Sequence, residues 1–290
     1  MIKYAIENYL NSDCSLYSSS EHEIYVVENV YNSRPSKPFR TEGIGVAPGE
    51  VPEWICAELP YARRPNFTAI FNHNLTTLQV STDLLMIQAC TLGCPPASGF
   101  CPWDLYGTSG GPAFNLSLAD RIHSDFKNLC SGEFDLGADY KYFRWPMIDS
   151  LNPKSFLEIG ELFLGELKSF SYAKLQPGRS DGPEFFDGTK ITTHGQIWSN
   201  YYGEADGFKI EIINKNSTSQ ISELTTFLKE VKRAGGKFVF IPNDLYDFCY
   251  YVYLRNMADF GKQIVKGFDQ EFYSWTLDLR TLTEGVALLG

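Results

Sequence analysis

Three constellations in this 290-residue chain hold side chains able to do chemistry. In Gly107-Thr-Ser-Gly-Gly-Pro112, Ser109 could attack a carbonyl while backbone N–H groups of the glycine-rich turn stabilise the oxyanion. Cys90, Cys94, Cys101 and Cys130 could supply four thiolates to a closed tetrahedral zinc site. His73 sits between Asn72 and Asn74, where it could join a ligand site, and Asp149, Glu158 and Glu161 offer carboxylates.

Each constellation meets a plainer reading. The Ser109 string is similar to the nucleophile motif of trypsin-like serine proteases, but that chemistry needs a base His and an Asp placed by two upstream barrels. Too little chain precedes Ser109, so Ser109→Ala is expected to remove no activity. The cysteine spacing matches no recognised finger or ribbon, so buried or incidental thiols are expected, with metal binding and disulfides left as alternatives. Asn and His at a strand end hydrogen-bond local backbone. The three carboxylates read as solvated strand faces. No residue is assigned a catalytic, cofactor, metal or ligand role, and no cofactor is expected.

The elements that position these residues are mainly strands. Aromatics make up 15% of the chain, alongside many Val, Ile and Thr, which suits pleated, half-buried surfaces. Strands are expected over Glu23–Val30, Trp54–Leu59, Asn66–Asn72 and, with a buried helix as the alternative, Leu84–Cys90. Residues 91–137 lose the pattern and read as an irregular insertion. Tyr140–Gly165 then combines an aromatic strand, a turn over Asp149, Asn152 and Pro153, and a second strand, together read as a closing hairpin. In that second strand Ile159 and Leu162 fall on opposite parities, so a register shift or bulge at Gly160 is expected to bring them to one face.

After a Ser/Gly/Pro-rich linker, strands are expected over Ile191–Ser199, Asp206–Asn214, Phe238–Ile241 and Cys249–Leu254, and in the alternating run FYSWTLDLRTL. Ile221, Leu224, Phe227, Leu228 and Val231 predict a helix from Ser219 to Ala234, stopped by Gly235 and Gly236.

Composition narrows the partners. A net charge of −10 without a basic block excludes a phosphate-tracking surface, so no nucleic-acid partner is expected. No apolar run reaches the roughly 18 residues that span a bilayer, and the first twenty residues lack a secretory core; membrane insertion is not expected. Seven cysteines argue for free thiols over a disulfide framework.

The order WICAEL, AIFNHNL, YKYFRWPMIDSLNPKSFLEIGELFLG resembles the galactose-binding-like (discoidin-type) jelly roll in its bacteriophage tail version. The residues that carry the resemblance are Trp54, Asn72, His73, Asn74, Leu75, Tyr142, Arg144, Asp149, Asn152, Pro153, Ile159, Gly160, Leu162 and Gly165. The segment from Phe185 to Leu282 is similar to the small β domain of phage distal-tail and tail-tip proteins, which resemble tail-tube subunits.

Together these resemblances imply a mainly β fold. Residues 1–170 would form the jelly roll, 171–184 a linker, and 185–290 a small β-sandwich or barrel with one packed helix. They imply a non-enzymatic structural component of a virion tail tip or baseplate, made in the host bacterial cytoplasm. Its partners would be copies of itself in a ring, favoured as a hexamer, with tail tube, tail hub and fibre proteins. The alternative function is a carbohydrate-binding module for a host-surface glycan, with Trp54, Trp103 and Trp145 as the aromatics to test.

Overall fold

The structure, a computed structural model, describes residues 2–32, 37–44, 52–76, 84–90, 114–118, 122–123, 129–170, 173–175, 183–187, 190–191, 197–198, 201–214, 218–241, 249–255, 263–267 and 270–282. The chain divides into two units, Asn8–Leu167 and Met1–Glu7 with Lys168–Gly290. The first strand, β1 (Ile2–Ala5), thus belongs with the C-terminal half rather than with a domain spanning 1–170. Asn8–Leu167 is an insertion between β1 and the rest of its sheet.

Among its described residues the inserted unit has ten strands. These are β2 (Ser15–Ser18), β3 (Phe39–Arg40), β4 (Glu53–Arg63), β5 (Phe67–His73), β6 (Leu84–Cys90), β7 (Phe114–Ser117), β8 (Ile122–His123), β9 (Leu129–Glu133), β10 (Tyr140–Ile148) and β11 (Glu158–Gly165). They form two five-stranded sheets, β2-β4-β10-β6-β7 and β3-β11-β5-β9-β8, and every recorded pairing in them is antiparallel. The chain passes repeatedly between sheets, the connectivity of a jelly-roll sandwich. One core joins them: Ile55, Ile87 and Trp145 from the first sheet pack with Phe39, Ile70 and Leu162 from the second. Trp145 is fully buried and donates its indole N–H to Thr68 Oγ1 at 3.2 Å, linking β10 to β5.

Four expectations change here. Residues Val27–Tyr31 form a 3₁₀ turn rather than a strand, held by Asn29 N–H to Val26 O at 3.0 Å and by Asn29 Nδ2 to Pro38 O at 3.1 Å. Strands β10 and β11 lie in different sheets, so Tyr140–Gly165 is a crossing between sheets and not a hairpin. Ile159, Leu162 and Leu164 do share the core, yet β11 keeps one register on β5 from Ile159↔His73 to Gly165↔Phe67. The irregularity is on the partner strand, where Asn72 takes a left-handed φ of 52° between the registered pairs. Glu161 is 1% exposed and Asp149 0%, so neither lies on a solvated strand face.

In the second unit, residues 171–184 overlap strands instead of forming a plain linker. The elements are β12 (Lys168–Phe170), β13 (Ala173–Leu175), β14 (Pro183–Asp187), β15 (Lys190–Ile191), β16 (Ile197–Trp198), β17 (Tyr201–Asn214), α1 (Thr218–Arg233), β18 (Lys237–Ile241), β19 (Tyr250–Leu254), β20 (Gln263–Gly267) and β21 (Gln270–Thr281). The main sheet runs β12-β1-β18-β19-β21-β17-β13. Its two end strands are consecutive in the chain, because only two residues separate Phe170 from Ala173. Three Cα steps span at most about 11 Å. The two edge strands therefore approach one another at that junction, which curls the sheet strongly toward a barrel.

Helix α1 packs Leu224, Phe227 and Val231 against Ile2, Phe238, Val252 and Leu277. Phe227 is the aromatic hub, with ring centroids 4.7 Å from Tyr4, 4.9 Å from Phe170 and 5.5 Å from Phe238. The helix stops where expected: Gly235 and Gly236 have φ of 69° and 85°, and Gly236 N–H reaches Val231 O at 2.8 Å.

Candidate functional site

The outward face of the sandwich's first sheet follows from strand parity. Phe143, Trp145 and Met147 of β10 point into the core, so Tyr142 and Arg144 face the other way. Directly opposite pairs extend this face across four strands: Tyr17↔Cys56, Cys56↔Arg144 and Arg144↔Gln88 form one row, and Glu58↔Tyr142 and Tyr142↔Cys90 the next. Arg144 and Gln88 are buried, and Arg144 Nε donates to Gln88 Oε1 at 3.0 Å. Half-buried Tyr17, Trp54 and Tyr142 pack around buried Cys56 and Cys90. Glu58 accepts from Lys141 Nζ at 2.8 Å and from Tyr142 Oη at 3.5 Å.

Burial pushes the Cys56 thiol up to about 12, outweighing the opposing pull of Arg144, so it stays protonated near neutral pH and is no nucleophile. Among the described residues no group of three or more His, Cys, Asp and Glu could hold a metal ion. Cys90 lies on the first sheet and Cys130 on β9 of the second, while Cys94, Cys101, Ser109 and Trp103 fall outside the described residues.

A second polar cluster locks the β10–β11 crossing. Asp149 accepts hydrogen bonds from Thr76 N–H at 2.8 Å, Thr76 Oγ1 at 2.6 Å and Asn152 Nδ2 at 3.0 Å. Asn74 donates from Nδ2 to Phe156 O and accepts from Glu158 N–H. His73 Nδ1 accepts from Leu75 N–H at 3.1 Å, the local backbone role expected of it. Glu158 binds Arg40 at 2.8 Å, and the Arg40 guanidinium lies between the rings of Tyr25 and Phe156, 4.1 and 4.2 Å away. These residues are joined into a frame, and their polar groups are turned toward one another and the backbone.

Two of the three candidate tryptophans now separate. Trp145 is core, while Trp54 belongs to the outward face despite its strand position. Sequence reasoning missed Tyr17, Gln88 and Arg144 as a group. The available signal was alternation: Tyr142 and Arg144 occupy the parity opposite Phe143, Trp145 and Met147.

In the barrel unit, a cleft of about 540 Å³ lies between α1 and the β1–β12 edge, bounded by Tyr4, Phe227, Thr226 and Glu223 and by the Lys168–Glu230 pair at 3.6 Å.

No protein-family model matches the chain, and comparison with curated proteins finds no match. Similar solved structures exist. A family 32 carbohydrate-binding module from C. perfringens NanJ, in complex with galactose, has a TM-score of 0.36 and 15% identity, covering 57% of this chain and 99% of its own. The lectin domain of lectinolysin, complexed with Lewis B antigen, has a TM-score of 0.37 and 10% identity, covering 55% and 96%. A fucolectin from striped bass (Morone saxatilis) serum has a TM-score of 0.36 and 14% identity, covering 56% and 49%.

Proposed function

We propose that this chain is a non-enzymatic structural component of a bacteriophage tail tip or baseplate, with the barrel unit assembling into a symmetric ring and the sandwich carried as a display or docking module. The observation that supports it best is the insertion. Strand β1 sits between β12 and β18, pairing Tyr4 with Lys168 and with Phe240, so the chain's two ends build one barrel around an excursion of a whole domain. The incoming and outgoing chains of the sandwich are also fastened together. Asn8 Nδ2 donates to Leu162 O at 2.9 Å, Asn8 Oδ1 accepts from Leu164 N–H at 3.0 Å, and Tyr9 N–H donates to Leu164 O at 2.7 Å.

An assembling base with an inserted module fits the sequence resemblance of both halves. Ring closure needs complementary heterologous patches on each copy. Native mass spectrometry with negative-stain microscopy of the purified chain tests the assembly, with a single closed ring expected. A species that stays monomeric removes it.

A second reading, a module that binds a host-surface glycan, is favoured by the Tyr17, Trp54 and Tyr142 face. Aromatic rings next to Glu58 and Lys141 can offer sugar both a stacking surface and hydrogen bonds. A glycan array with the intact chain and Trp54→Ala decides it; binding lost in the variant supports it, and a blank array removes it.

A further inference from the structure

We propose that the sandwich unit pairs with a second copy of this chain through the free edge of β2, joining the first sheets of two copies into one antiparallel sheet. The inference is carried by the sandwich alone and goes beyond both functional readings.

β2 stands at one end of the β2-β4-β10-β6-β7 sheet and, among the described strands, pairs only with β4. Residues in an antiparallel ladder turn their N–H and C=O groups alternately toward and away from the neighbouring strand. Ser19, next along this ladder, donates its N–H to Trp54 O at 3.0 Å, so Tyr17 and Ser15 also turn theirs toward β4. Leu16 and Ser18 therefore turn theirs outward. Among the described residues neither makes a hydrogen bond outside the ladder, and both are only half-buried. Their N–H and C=O groups line an open edge.

Edge strands are ordinarily guarded by charge, proline, a bulge or extreme shortness. The second sheet is guarded in this way, because β3 and β8 at its ends are only two residues long. The edge at β2 is not: Cys14–Ser20 reads CSLYSSS, without charge or proline, and the ladder on β4 runs without a shift.

A second copy is the occupant that this edge fits. Leu16 packs on the core side of the sheet and Tyr17 on the outward side, so a pairing that keeps both faces continuous must match residues of like parity. Placing Leu16 opposite the partner's Ser18, and Ser18 opposite the partner's Leu16, meets that condition and engages every outward group. Tyr17 then faces the partner's Tyr17 in the closer, non-hydrogen-bonded position, with Cα atoms about 4.5 Å apart. Aromatic cross-strand pairs of this kind are stabilising. In the same register every facing pair between Cys14 and Ser20 is neutral, so a chain of net charge −10 meets itself along a strip free of repulsion. The strand is about 13 Å long at roughly 3.3 Å per residue, so the contact is smaller than the roughly 800 Å² that each partner gives to a standard interface, and the association is weak.

Mild oxidation of the full chain carrying Tyr17→Cys, at high protein concentration, tests the register. Peptide mapping by mass spectrometry should find a disulfide between two copies at position 17, at least about tenfold more abundant than in Ser15→Cys, because a disulfide needs Cα atoms within about 7 Å and position 15 lies out of register with itself. Adding Ser18→Pro removes an outward donor and spares the ladder to β4, and it should cut the yield at least about tenfold with unchanged far-UV circular dichroism. If a variant loses its fold, amide exchange of the native chain decides: the Leu16 and Ser18 amides should slow as concentration rises, while the Tyr17 amide, already bonded to β4, should not. Equal cross-linking at positions 15 and 17, a yield unmoved by Ser18→Pro in a folded chain, or exchange at Leu16 and Ser18 independent of concentration overturns the pairing. A closed ring found alongside any of these leaves the tail-component reading standing, and a cross-link at position 17 without a ring leaves the pairing standing alone.

Discussion

Asp149 holds Thr76 by both of its donors, accepting from the backbone N–H at 2.8 Å and from the hydroxyl at 2.6 Å, although 73 residues separate them. With Asn152 Nδ2 as a third donor at 3.0 Å, the fully buried Asp149 side chain accepts three hydrogen bonds. Hydrogen bonds to charged groups are worth about 1.5–3 kcal/mol each. Asp149→Ala strands these donors and is expected to destabilise the sandwich by about 3 kcal/mol or more, read by urea denaturation followed through tryptophan fluorescence. A loss within about 0.5 kcal/mol, the range of ordinary surface changes, would contradict the role given to this cluster.

Trp145 and Thr68 tie the two sheets of the sandwich. Truncation to alanine should cost about 3–5 kcal/mol through the cavity left behind. Trp145→Phe should cost less, and a double-mutant cycle with Thr68→Val isolates the hydrogen bond at about 1 kcal/mol. A coupling of zero would mean that the bond contributes nothing to joining the sheets.

Cys56 gives a pH prediction. Its folded value of about 12 lies above the ordinary thiol value of 9.0, so the folded state keeps a proton that the unfolded chain releases. The contribution is fully present below pH 9.0 and is lost as pH rises toward about 12. At pH 8 the native thiol should resist alkylation until the sandwich unfolds, measured by mass spectrometry of labelled peptides across a urea series. Labelling of Cys56 at the rate of an exposed thiol contradicts its burial.

Excision probes the insertion. Joining Glu7 to Lys168 through a short Gly/Ser linker should leave a folded barrel, because Tyr4 and Lys168 are already paired neighbours. Removing Met1–Glu7 should instead unfold it, since β1 bridges β12 and β18. Circular dichroism and limited proteolysis distinguish the two, and the opposite pattern would show that β1 is dispensable.

Much of this architecture was legible because it is local. The period of α1 and its two stopping glycines, the strands β4, β5 and β6, and the backbone role of His73 all depend on neighbours in sequence. What was not legible depends on distant pairing. A turn over Asp149–Pro153 looks alike whether the flanking strands pair or cross between sheets, and only the partners of β10 and β11 decide. The short strand at Ile2–Ala5 carries no mark of its destination beyond residue 160. Burial of Glu161 could not be read from alternation, because β11 is covered on both faces. Trp54 opens an apolar strand, and only its parity against Ile55 and Ala57 places it outside.

The central claim is tested most directly by cryo-electron microscopy of intact particles decorated with an antibody fragment raised against the sandwich unit. The account predicts fragments arranged symmetrically around a ring at the distal end of the tail. Particles that contain no copy of the chain, or that bind the fragment away from the tail tip, contradict it.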